Sequence, residues 1–165
     1  MNDPGPSPSF WRRRILDPIL RQLKQGTSPE KIALTIAAGV AGGLFPFLGF
    51  TTLLCLLIAG CFRLNQPIIH VINQVLWPVH LTMIPVYVRL GERLYGADAL
   101  PFHPQEVTEI FLRSQSEFWA SFGLMGLHAL TAWLITVPFI VAILFYSLRP
   151  VLHRLRANVP AAPTL

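Results

Sequence analysis

The chain has 165 residues, of which 53% are hydrophobic and only 13% charged, with a net charge of +5. A soluble domain usually carries about 25% charged residues. Three runs, 32–62, 64–88 and 118–148, hold no Asp, Glu, Lys or Arg, and together they make up 87 residues. A membrane-crossing helix needs about 20 apolar residues. Such runs do not suit an ordinary soluble domain, and their hydrophobicity excludes a disordered chain. They lack the alternating polarity of an outer-membrane barrel. The expected fold class is therefore all-α, an integral membrane helical protein.

Residues 1–9, MNDPGPSPS, read as a disordered tail. Residues 10–25 read as a short amphipathic helix, with Ile15, Ile19, Leu20 and Leu23 opposed to Arg12, Arg13, Arg14, Arg21 and Lys24. A basic amphipathic helix suits the headgroup layer of an anionic leaflet; a solvated helix with an ordinary packing face is the alternative. Residues 26–150 form the expected membrane domain, and 151–165 a cytoplasmic tail. No cleavable signal peptide is expected, because the first apolar run begins late and is long.

Ser28-Pro29-Glu30 has the order of a helix start: a capping serine, a first-turn proline and an acid. The run that follows is interrupted by Phe45-Pro46-Phe47-Leu48-Gly49-Phe50. Proline removes a backbone donor and glycine permits a turn. Each half is about 13 residues, or about 20 Å of helix, too short to cross alone. A re-entrant hairpin over about 32–62 fits these lengths better than one kinked helix. Cys55 and Cys61 in this run are expected to be buried, apolar-like and unpaired.

The second run, 64–88, is polar for a membrane segment. Gln66, His70, Asn73, Trp77 and His80 step by four, three, four and three, one stripe on a helix. Thr82 lies just beyond, and Pro78 is placed to bend the helix. Polar groups at this depth should face other helices or a wet cavity. The candidate polar site is thus Gln66, His70, Asn73, His80 and Thr82, facing a backbone break formed by Pro46, Gly49, Thr51 and Pro78. After a connection with an amphipathic helix expected at 104–118, the third run crosses at 118–148, with Trp119 and Tyr146 near its ends and a kink expected at Pro138.

Six Lys/Arg precede Ile32 and three follow Leu148, whereas residues 89–117 carry three against five acids. The positive-inside rule then puts both termini in the cytoplasm and 96–117 outside. That requires an even number of crossings, as a re-entrant first run plus two spans provides. The basic residues of the tails serve orientation, so no nucleic-acid partner is expected.

Several pieces resemble a bacterial family, domain of unknown function 2062. They are Ser28-Pro29 with Ile32-Ala33, Ala37 and Gly39, Pro46-Phe47-Leu48-Gly49-Phe50-Thr51, Arg63-Leu64-Asn65-Gln66-Pro67, then Pro78, Thr82, Pro85, Tyr87 and Gly91. The resemblance covers roughly 22–150. It implies an integral protein of the bacterial inner membrane with no established activity. The domain also occurs joined to glycosyltransferase-like domains, which implies envelope glycan or lipid metabolism. The family commonly has asparagine where Trp77 stands here, a role that falls to Asn73 if it is met at all.

Two functions follow as expectations. One is transport or handling of an envelope lipid or small solute through the polar site, since broken helices expose backbone groups at mid-membrane depth. The other is a non-catalytic scaffold subunit for an envelope-biogenesis enzyme. Membrane lipids are the expected partners, with a second copy or an envelope enzyme besides. No cofactor and no metal site are expected. His70 and His80 form the one acid/base pair at membrane depth; with no HExxH, GxSxG or phosphate loop, an embedded hydrolase or transferase is the weakest reading.

Overall fold

The computed structural model describes residues 17–97 and 112–157. The expected tail at 1–9, the start of the helix expected over 10–25, and most of the helix expected at 104–118 lie outside the described residues. Among the described residues there are six helices and no strand: α1 (Asp17–Lys24), α2 (Pro29–Gly43), α3 (Thr51–Cys61), α4 (Gln66–Val75), α5 (Trp77–Tyr95) and α6 (Gln115–Ala157). The expected all-α class is what the structure has. Among the described residues only α6 is by itself long and apolar enough to cross a membrane, over Phe122–Ala157.

α1 buries Ile19 and Leu23, one turn apart. It stops at Gly26, whose φ of +86° suits a residue without Cβ. The Ser28 hydroxyl then accepts the Lys31 amide at 3.2 Å, and Pro29 opens α2. α2 is built of small residues and buries Ala33, Ala37, Ala38, Gly39, Ala41, Gly42 and Gly43. It packs against α3, α4 and α6. Smallness is what admits them: a Cβ on Gly39 would stand 3.1 Å from Ile72, and one on Gly42 only 2.6 Å from Cys55 Sγ.

Helix stops at Leu44, and residues 45–50 are non-helical, with φ +84° at Gly49. The interruption expected at Pro46 and Gly49 is therefore a true break. α3 runs back along α2, with Cys55 opposite Gly42 and the Asn65 amide 3.4 Å from Thr35 Oγ1. Cys55 is buried as expected, but Cys61 is exposed, because it lies at the end of α3 on the side away from α2. Asn65 caps α4 by accepting the Ile68 amide at 3.1 Å.

The run at 64–88 is not one helix. It breaks at Leu76, and α4 and α5 meet at 68°. Pro78 lies in the first turn of α5, where a missing N–H costs nothing, so the proline starts a new helix rather than kinking an old one. α5 continues past Val88 to a left-handed cap at Gly96.

α6 is antiparallel to α2 and is unbroken by Pro138 or Pro150. It extends beyond the expected boundary at 150, and Leu152 is buried in a core with Ile19, Leu23, Ile32, Ala33, Ile68 and Ile72. At that end Glu30 meets His153 at 2.6 Å and Arg149 at 3.6 Å. A backbone hydrogen bond at Glu30 itself and the His153 side chain hold its carboxyl below the ordinary carboxylate range. A second core joins Leu44, Tyr87, Val88, Met125, Ala129, Ala132 and Trp133 near the break.

A candidate polar site beside the helix break

The last carbonyls of a helix have no partner within it. At the end of α2 the Leu44 amide reaches back to Val40 and the Phe45 amide to Gly42, which leaves Ala41 O for another donor. Trp133 of α6 supplies it, its Nε1 donating at 3.1 Å in a buried bond. The Phe45 ring meets the Trp133 ring edge-on at 5.1 Å, and Phe47 covers Gly126. The break is thus held against α6 by aromatic packing and one long-range hydrogen bond.

On the other side of α2 lies Asn73, 6% exposed. Its Nδ2 donates to Thr52 Oγ1 at 3.2 Å, tying α4 to the first turn of α3. Its Oδ1 lies close to Gly43, at ordinary contact distance from where a Cβ would stand. Beyond the bend, His80 is 3% exposed. Its ring approaches the backbone of Gly43, yet neither ring nitrogen completes a hydrogen bond. Two turns further along the same face of α5, the buried Tyr87 hydroxyl points towards Thr136 of α6, again without completing one. Thr136 donates instead to Ala132 O at 2.9 Å.

The structure brings together only part of the expected stripe. Asn73 and His80 converge on the end of α2, His70 is half-buried, and Gln66 is exposed in the first turn of α4. The 68° bend divides the stripe, and it turns Trp77 outward, 57% exposed. Thr82 is exposed as well, its hydroxyl satisfied by Val79 O one turn back at 2.8 Å. Of the break residues, Pro46 is buried, Thr51 half-buried at the start of α3, and Gly49 and Pro78 exposed.

Tyr87, Trp133 and Thr136 were not among the expected site residues. Tyr87 had a usable signal, lying seven residues after His80 on the same helix face. Trp133 and Thr136 had none, since the pairing of α6 with α2 is not written in local spacing. His128 is buried; its ring stacks on Tyr95 at 4.5 Å, and its Nδ1 has no hydrogen bond.

The seam offers an amide, an imidazole, a phenol and hydroxyls, with no carboxylate among Asn73, His80, Tyr87 and Thr136. Such a set can hydrogen-bond a neutral polar group or an anion. Among the described residues no three His, Cys, Asp or Glu converge as metal ligands would.

Residues 12–161 match the family described as uncharacterized protein conserved in bacteria (DUF2062), and the chain belongs to that family. No curated protein and no solved structure matches it.

Proposed function

We propose that this member of the family is a multi-pass protein of the bacterial inner membrane that handles the polar part of an envelope lipid or small solute at the Asn73–His80–Tyr87 seam. In this reading α2 and α3 form a re-entrant hairpin. The bent α4–α5 pair and α6 are the two crossings, and both termini are cytoplasmic. Three observations support the placement. α2 and α3 are too short to cross singly, at about 22 and 16 Å. Only 17% of the most apolar 18 residues of α6 is buried in the fold. The Glu30 contacts hold the start of α2 and the end of α6 at one face.

The observation that carries the site is His80, buried with both ring nitrogens unpaired beside the end of a broken helix. A buried polar group without a partner is costly, and intramembrane polar groups mark ligand paths by default. No catalytic step is part of the proposal.

The test is envelope-lipid and precursor analysis of a deletion strain complemented with the wild type, His80→Ala or Asn73→Ala. The expected outcome is that both variants insert at normal abundance yet accumulate the same precursor as the deletion. Reduced abundance or detergent stability with no precursor would make these residues structural. The scaffold reading would then stand, and the uncovered apolar face of α3, with Leu53, Leu56 and Leu57 exposed, favours it.

A further inference from the structure

A groove of about 260 Å³ opens between α2, α3 and α6, walled by Leu34, Ala38 and Ala41, by Ile58, and by Trp133 and Val137, with no polar surface in it. Trp133 is apolar here because its N–H is already spent inward on Ala41 O. Along α2 the wall runs from Leu34 to Ala41, about 10 Å of helix. Its flanks continue into exposed apolar side chains, Leu57 of α3 and Leu134 of α6, and the lining Phe62 just past α3 is exposed too. One end is cationic. Arg63 stands between the lining residues Phe62 and Leu64, and Lys31 lies one turn before Leu34 on the same side of α2. Both are exposed, and among the described residues neither is in an ion pair.

We propose that this groove holds one acyl chain of an anionic phospholipid, with Lys31 and Arg63 facing its headgroup. An apolar slot open to the hydrocarbon fits a chain. Two unpaired cations at its mouth select the charge, since each basic residue at an anionic leaflet favours binding. The proposal rests on the membrane placement given above but not on the polar seam, which lies on the opposite side of α2.

The test uses the full chain with Trp11→Phe, Trp77→Phe and Trp119→Phe, so that Trp133 alone fluoresces. It is reconstituted into phosphatidylcholine vesicles containing a small fraction of phosphatidylglycerol or phosphatidylcholine brominated on the acyl chain. Brominated phosphatidylglycerol should quench at a far lower fraction than brominated phosphatidylcholine. Lys31→Gln with Arg63→Gln should abolish that preference, by roughly fivefold per cation. Ala38→Phe should fill the slot and cut quenching by both lipids. If that variant fails to fold, the surface charge pair still decides. Equal quenching by both lipids, unmoved by the charge changes, would overturn the proposal. So would efficient Cys61–Cys61 cross-linking with no quenching, which means a second copy covers the groove. Release of the chain by alkaline carbonate would remove the membrane placement and both readings with it. Inert His80 variants beside an intact phosphatidylglycerol preference would remove only the polar seam.

Discussion

α2 and α6 are equally free of charge at their centres, yet they are used in opposite ways. α2 buries ten of its 15 residues, nearly all of them small. α6 turns Leu124, Leu127, Leu134, Ile135, Phe139 and Ile143 outward. In water, apolar character separates inside from outside. In the hydrocarbon of the proposed placement it would not, because lipid is as apolar as leucine, and side-chain size would decide instead. The small helix becomes the hub on which α3, α4 and α6 pack, and the bulky one becomes the rim.

That contrast can be broken first where helices touch most closely. A Cβ on Gly91 of α5 would stand 2.2 Å from the carbonyl oxygen of His128 in α6. Backbone cannot swing aside as a side chain can. Gly91→Ala should cost about 3 kcal/mol, the upper part of the overpacking range, measured as loss of the folded chain on thermal unfolding in detergent. An unchanged midpoint would mean that α5 and α6 are not in contact.

The next test sharpens the comparison by making one substitution in each helix. Gly42→Ala meets Cys55 Sγ and should destabilise by about 1–2 kcal/mol. Adding Cys55→Ala should return part of that loss, since the new methyl then occupies the space the sulfur left. Gly123→Ala in α6 has nothing within 4 Å and should stabilise by about 0.5–1 kcal/mol through helix propensity alone. The two glycines should therefore differ in sign on the same thermal assay. Equal effects would refute the hub-and-rim distinction.

The sequence made the break legible, because Pro46 and Gly49 act locally and need no partner to end a helix. It made the cap at Ser28-Pro29 legible for the same reason. Asn65 with Pro67 starts α4 by the same logic, but that start went unread, because the run 64–88 reads as one helix. The stripe was only half legible. Its spacing continues from Gln66 to His80 as if one helix ran through, and nothing in that periodicity records a 68° turn at Leu76. Pro78 marked the place but not its meaning, since a proline serves as well at the first turn of a new helix as at a kink. Pro138 shows the reverse, a proline inside a helix that continues without a break. The partners of the site, Trp133 and Thr136, come from some 50 to 90 residues away in sequence and are fixed by packing.

The smallest expected effect lies at the rim end, where Glu30 joins α2 to α6. Its carboxyl is held below the usual range by its own backbone amide and by His153, so its stabilising contribution is present above the ordinary carboxylate pKa. That contribution should fade as pH falls through the lowered value. Glu30→Gln should flatten this acid-side slope in a pH series of unfolding midpoints and leave the neutral-pH midpoint almost unchanged, because the half-buried carboxylate and its partners lie where solvent screens them. A neutral-pH loss as large as that of Gly42→Ala would show that the two helices depend on this contact rather than on fit.

The bond from Trp133 to Ala41 has a consequence for the order of biosynthesis. The acceptor is made 92 residues before its donor. Until α6 leaves the ribosome, the Ala41 carbonyl has no Trp133 to accept from and must turn to water, which is absent from a hydrocarbon core. On the proposed placement, a nascent α2–α3 hairpin would stay near the aqueous boundary, wet at its tip, until the last helix arrives to replace that water. The last helix made would then set the depth of one made near the start of the chain.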